Sequence, residues 1–324
     1  MNLLAILAAL GLEQWHSPGW RVSIERAFVR QARALERKFN GGTAGQGAIA
    51  AGIAVVPAAA AAMAIWWALD AVNPFAGLAF NVLVLYVLMG FRRFSHAVSA
   101  IVAAFKEGDL VAARRALGSW RGRVSSEFAS GDVARIAIER GLVEAYRQVF
   151  AVLFWFVVLP GPVGAVLYRA VARLAQEWSE APRGEDLTPL DREREAFGMP
   201  VRRLLALLDW IPVRLTAIAF AAVGDFEDAV ASWRTQAAGW AREEGGRAMG
   251  IVLASGAGAL GVVLGGPLPS PAGAPDWRPE LGTGDPVEPE VLPSAVGLVW
   301  RALVLWLVVI LLVGVAGALS DRVG

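Results

Sequence analysis

The chain is predicted to be all-α, a polytopic transmembrane helical protein with cytoplasmic amphipathic helices. Three observations predict this. Two long stretches are nearly free of charge: Ala302–Leu319 has no ionisable side chain, and Ala48–Val72 has only Asp70. An ionised group at the centre of a spanning helix costs roughly 2.5–3.5 kcal/mol, so runs this clean mark helices in lipid. The composition agrees. Of 324 residues, 56% are hydrophobic and 18% are charged, against about 45–50% and 25% in soluble domains. Basic residues, finally, crowd into two connecting segments, the asymmetry that orients spans.

Several function classes are excluded at once. A net charge of +1 offers nucleic acid no electrostatic footing. The absence of cysteine removes disulfides, thiolate nucleophiles, Fe–S clusters and zinc–sulfur sites. Two histidines, His16 and His96, are too few for a histidine-rich metal centre.

The elements follow in order. Met1–Trp20 reads as a membrane-entry or re-entrant helix retained in the mature protein; a signal anchor is the alternative. Ile24–Phe39 is an amphipathic helix, with Ile24, Phe28, Leu35 and Phe39 on one face and Arg26, Arg30, Arg33 and Arg37 in a second stripe. Such a helix lies at the headgroups with its arginines toward anionic lipid, or packs on its own protein. These two helices form the segment 1–47, ending in a Gly-rich linker that lacks the Gly-Lys-Ser/Thr of a phosphate loop.

Residues 48–91 form a transmembrane hairpin: Ala48–Val72 crosses, Asn73-Pro74 turns, and Phe75–Phe91 returns. The flanking segments therefore share a side. One carries six basic residues between Arg21 and Lys38, the other ten between Arg92 and Arg147, which makes that side cytoplasmic. Residues 92–148 are cytoplasmic helices over Ser95–Phe105, Leu110–Trp120 and a third from an Asp132 N-cap to Gln148.

Residues 149–264 hold membrane helices with polar connectors. Val149–Leu167 is a span kinked or split at Pro160-Gly161-Pro162. Arg169–Arg203 balances seven basic and seven acidic residues. Leu204–Val223 is apolar apart from Asp209, Pro212 and Arg214. Gly224–Met249 is a polar helix beginning at Gly224-Asp225, and Ile251–Leu264 is apolar, Gly-rich and short for a span. Residues 265–294 carry eight of the seventeen prolines and five acidic residues, and read as an extended linker without a core. Residues 295–324 are the last span. The tryptophans near the ends of apolar runs suit interfacial depth.

Chemistry concentrates at Leu208-Asp209-Trp210-Ile211-Pro212-Val213-Arg214-Leu215. Ionisable groups inside an apolar segment need partners and are functional candidates. Proline also frees a carbonyl one turn earlier, which could hold a ligand. Alternatively this is an entry turn, with Asp209 as helix cap, Pro212 in the first turn and Arg214 at the headgroups. The cytoplasmic arginines are the second candidate, with Gly122-Arg123 and Arg147 suited to clamping phosphate or carboxylate. Positive-inside charge explains the same residues. Glu139 and Glu144 are placed to pair with Arg135, Arg140 and Arg147 along their own helix. His96 sits at the membrane edge, where a hydrogen-bonded helix position is the plainer reading. No nucleophile elbow, HExxH or acidic metal cluster is present.

At these residues the chain resembles the CobD/CbiB superfamily. The carriers are Gly108-Asp109-Leu110-Val111-Ala112-Ala113-Arg114-Arg115 after His96, then Gly122-Arg123, Gly164-Ala165-Val166-Leu167-Tyr168-Arg169 and Pro212-Val213-Arg214-Leu215-Thr216-Ala217. The resemblance covers roughly residues 1–265. It implies an ATP-dependent amide ligase that makes cobinamide phosphate at the membrane. Phe154-Trp155 and Leu208–Leu215 resemble more closely the AmpE-like branch, membrane modulators linked to β-lactamase induction. Departures from the ligase pattern point the same way. Val124 stands for the aspartate of Gly-Arg-Asp, Val143-Glu144 for Glu-Asn, Arg147 for a downstream aspartate, and Ala172-Arg173-Leu174-Ala175 for Asn-Thr-Leu-Asp.

The expectation is thus a non-catalytic inner-membrane regulator of the AmpE type, needing no cofactor or metal. Its ligand-binding candidates are Asp209, Arg214, His96, Arg123, Arg147, Gly122 and Arg169, gathered into a polar centre at the membrane edge. Its partners would be the lipid bilayer and an anionic small molecule or membrane protein, not nucleic acid. The alternative is adenosylcobinamide-phosphate synthase, with ATP and magnesium; a transporter is a third reading, favoured only by the broken helix at Pro160–Pro162.

Overall fold

A computed structural model describes residues 2–15, 20–122, 126–178, 188–243, 245–269 and 277–323. The chain divides into two compact units. One comprises 1–89 and 151–210; the other comprises 90–150 and 211–324.

The first unit opens with α1 (Asn2–Trp15) and α2 (Trp20–Phe39). A Gly-rich loop leads to α3 (Ala44–Val72), then α4 (Pro74–Leu88). The tight turn is built as its residues suggest. The Asn73 side chain accepts the Phe75 N–H at 2.8 Å, and Pro74 takes the first helical position, where no N–H is needed. At 29 residues α3 is about 43 Å long, more than the roughly 30 Å of a hydrocarbon core. The return helix α4 has only 15 residues, about 22 Å, and stops at Leu88 short of a full crossing. Both pack against α9 (Val163–Glu177), α4 also packs on α1, and α8 (Ala151–Val158) packs beside α9.

Pro160-Gly161-Pro162 splits α8 from α9 rather than kinking one helix. Gly161 has φ +59°, and a Cβ there would lie 2.6 Å from the Trp66 ring. Only glycine allows that reversal with the indole against it.

The second unit contains α5 (Phe91–Lys106) and α6 (Leu110–Arg121), separated at Gly108 with Asp109 capping Ala112 N–H at 2.8 Å. Next comes α7 (Ser130–Ala145), continued by a π turn over Tyr146–Phe150 into α8. The apolar run is therefore Ser130–Val158, beginning well before Val149. Asp132 is not the N-cap. It lies in the first turn and reaches back to the Ala129 N–H at 3.1 Å.

Helix α10 (Pro189–Val223) is one uninterrupted 35-residue helix. The polar helix expected over Gly224–Met249 is broken into α11 (Phe226–Gln236) and a 3₁₀ turn at Gly239–Arg242, and α12 (Gly246–Leu260) takes in most of the apolar run Ile251–Leu264 and is largely buried. The last helix, α13, covers Leu292–Val323.

The proline-rich stretch after Gly265 is not a bare linker where it is described. It forms a three-stranded sheet from β1 (Val262–Gly265), β2 (Glu280–Leu281) and β3 (Asp285–Pro286), in the order β2-β1-β3. β1 pairs antiparallel with β2 (Leu264 opposite Leu281) and parallel with β3 (Val262 opposite Asp285). Leu281 is fully buried.

Among the described residues, four helical runs are long and apolar enough to cross a membrane: 44–72, 130–158, 190–223 and 289–317. Only 28% of the apolar window of the first and last is buried by protein, against 56% and 50% for the middle two. The outer pair therefore presents most of its apolar surface outward, as Val56, Ile65, Val308 and Leu312 do, which suits lipid and not water. The protein is an all-α polytopic membrane protein.

Candidate functional site

The first unit has a buried polar pair at the middle of α10. The Tyr168 hydroxyl on α9 donates to Asp209 Oδ1 at 2.9 Å, and Asp209 is 2% exposed. Asp209 is thus no helix cap, and Pro212 opens no helix. One turn before Pro212, the Leu208 carbonyl has lost its usual helical donor, because proline has no N–H. It is not left for a ligand: the Trp155 indole N–H donates to it at 3.2 Å. Beside Tyr168, Arg169 shares Glu25 of α2 with Arg173, at 3.7 Å for Arg169. Burial, then the neighbouring Arg173, pulls Arg169 below the usual guanidinium range, to about 10, with Glu25 acting the other way. The group stays cationic at neutral pH.

The second unit holds a different centre, on α7. Glu139 is 7% exposed. It does not pair along its own helix. Its oxygens take two hydrogen bonds from Arg278, at 2.7 and 3.1 Å, and one from the Gly265 N–H at 2.8 Å. Arg278 also donates to the Gly265 and Gly266 carbonyls and stacks over Trp240 at 5.5 Å. Arg135 bridges Asp132 and the Pro267 carbonyl, each at 2.8 Å. These charge-assisted bonds clasp Gly265–Pro267 and Arg278 onto α7. The Glu144 expectation does match: Arg140 contacts it at 3.0 Å, and the Trp120 indole N–H donates to it at 3.1 Å.

The sequence candidates are scattered. Asp209 and Arg169 belong to the first unit. His96, Gly122, Arg147 and Arg214 belong to the second, and Arg123 lies outside the described residues. The His96 Nε2 accepts a hydrogen bond from Arg92 Nε at 2.9 Å, one turn earlier on α5. Gly122 ends α6 with φ +77°, a left-handed C-cap that explains the glycine by itself. Arg147 lies on the π turn, with one end of its guanidinium against Gly245. Arg214 is half-buried on α10. Sequence reasoning missed the Glu139–Arg278 pair, because its partners are 139 residues apart and Arg278 sits in an unpatterned proline-rich stretch. It also missed Glu25 as the counter-ion of α9. Among the described residues no three His, Asp or Glu side chains gather where they could hold a metal.

The comparisons with known proteins point one way. A family model described as CobD/Cbib protein matches residues 6–299. The chain is 34% identical to "Cobalamin biosynthesis protein CobD" of Stutzerimonas stutzeri, over 96% of this chain and 97% of that protein. It is 35% identical to the protein of the same name from Chromobacterium violaceum, over 88% of this chain and 84% of that one. A third, from Photorhabdus laumondii, is 25% identical over 82% and 83%. No solved structure matches.

These matches overturn the expected non-catalytic AmpE-like regulator. The relatives similar over nearly the whole chain carry a cobalamin-biosynthesis name. Four substituted positions weigh less than likeness along some 311 aligned residues. A magnesium–nucleotide complex also brings its own phosphate oxygens and waters, so particular protein carboxylates are not obligatory.

Proposed function

The chain belongs to the CobD/CbiB family, and on that premise we propose that it is the adenosylcobinamide-phosphate synthase of a bacterial inner membrane. The reaction joins a corrinoid carboxyl group to the amine of an amino alcohol phosphate as an amide, with ATP supplying the driving force. The observation that carries this reading is the 34% identity to a CobD protein along 96% of the chain.

The chain's own part is binding and positioning. A carboxylate and an amine in water are a salt, not an amide, so the enzyme must hold the two together while the carboxyl oxygen is activated. Arginines suit the anionic partners, since the guanidinium fork matches both phosphate and carboxylate. Magnesium, on this reading, enters with the nucleotide, held by phosphates and water rather than by a protein cage. The bilayer is the remaining partner, with the basic segments around α2 and α5–α6 on the cytoplasmic side.

Purified protein in detergent is expected to form cobinamide phosphate from adenosylcobyric acid and an amino alcohol phosphate, dependent on Mg·ATP. A deletion strain should fail to make cobalamin from cobyric acid. A strain that still makes cobalamin normally, and a pure protein without turnover, would refute the proposal.

A further inference from the structure

Four arginines line one groove of the first unit; the free-monoester form of the inference below rests on the amide-ligase reading, the lipid-headgroup form does not. Arg26, Arg30 and Arg33 recur at four- and three-residue spacing on α2, so they share a helix face. Arg173 faces them from α9, and the only acidic side chain in the lining is Glu25. The groove is open to its surroundings, with a volume of about 410 Å³. That is room for a phosphate group and the atoms attached to it.

The charges in this groove are not balanced by protein. Glu25 is already shared between Arg173 and Arg169. Arg33 takes Glu177 at 3.0 Å. Among the described residues, Arg26 and Arg30 have no carboxylate. Like charges one turn apart repel, by roughly 0.2–0.5 kcal/mol per pair, and an anion between them relieves that repulsion. The guanidinium fork suits a tetrahedral oxyanion, which two arginines can grip along different edges.

We propose that the groove between α2 and α9 is a binding site for a phosphate group, held by Arg26, Arg30, Arg33 and Arg173. The phosphate comes from either a lipid headgroup or a free monoester, and the chemistry of recognition is the same. Arg37 separates this site from general attraction to an anionic membrane. It belongs to the same helix and carries the same charge, but it does not line the groove. A membrane surface attracts every exposed arginine near it, Arg37 included; a groove distinguishes the lining residues.

The test is calorimetric binding of O-phosphoethanolamine and inorganic phosphate to the full-length protein in phosphatidylcholine nanodiscs, repeated in phosphatidylglycerol nanodiscs. Arg26→Gln and Arg30→Gln are each expected to weaken binding about tenfold or more, and Arg37→Gln by less than about twofold. Both arginines are exposed, so the variants should keep the wild-type thermal transition. Competition from phosphatidylglycerol would identify the headgroup as the source; equal affinity in both discs would identify a free phosphate. No phosphate binding in phosphatidylcholine discs, or equal losses for Arg37→Gln and Arg30→Gln, would overturn the proposal. Binding is read directly, so it stands or falls separately from ligase turnover.

Discussion

Glu139 shows how a single buried charge organises a loop. With Arg278 on both oxygens and the Gly265 N–H beside them, it replaces water with three protein donors. Removing one partner of such a pair leaves the other buried and uncompensated, at a cost of about 3–5 kcal/mol. Glu139→Ala is therefore expected to lower the thermal transition in detergent and to expose 262–269 and 277–281 to protease, with Arg278→Ala doing the same. Wild-type melting in both variants would show that the clasp is decorative. A second residue-scale prediction concerns Trp155. Its indole serves the Leu208 carbonyl that Pro212 leaves without a donor. Trp155→Phe should cost roughly 1–3 kcal/mol, because a buried acceptor is then unsatisfied. Pro212→Ala restores a helical N–H to that carbonyl, so the double variant should lose less than the sum of the singles. Strict additivity in the double-mutant cycle would rule the account out.

Among the helices, the boundaries with physical consequences are those set by Asn73-Pro74, Gly161 and Gly245-Gly246. At Gly161 the chain needs positive φ and space against Trp66 at once. Gly161→Ala should therefore destabilise the α8–α9 reversal by about 1–3 kcal/mol, read as a lower melting temperature. Trp66→Ala in the same background would relieve the clash but not the backbone strain, so rescue should be partial. Full rescue would mean that sterics alone matter. Helix α10 illustrates the opposite case. Its proline causes no break, because the missing hydrogen bond is replaced from a neighbouring helix, as membrane helices permit.

The molecule as a whole is defined by its solvent, and the chain offers a clean probe of it. With no native cysteine, single cysteines can be introduced at exposed Gln31 on α2 and Ser119 on α6. Both should react with an impermeant maleimide in inside-out vesicles and resist it in spheroplasts, since both belong to the basic flanks of the α3–α4 hairpin. Labelling from opposite faces would show that α3 and α4 do not both cross. The short α4 makes that outcome informative.

Much of the fold was legible in the sequence because membrane helices obey a one-dimensional rule: long uncharged runs enter lipid, and basic runs stay behind. Ala48–Val72 and the last span follow from it, while the Asn73-Pro74 turn and the break at Pro160–Pro162 follow from the geometry of proline. The candidate site was legible only in part. Asp209 is recognisable as a charge inside an apolar run, yet its donor Tyr168 and the relief of Pro212 by Trp155 come from another helix. The Glu139–Arg278 clasp and the sharing of Glu25 by two arginines join residues more than a hundred positions apart. Sequence periodicity records which face of an element is polar; which distant partner that face meets is decided by packing. Composition and pattern alone determined that this is a helical membrane protein. The tertiary structure decided which buried charges are satisfied, because burial and hydrogen bonding depend on neighbours that no local stretch contains.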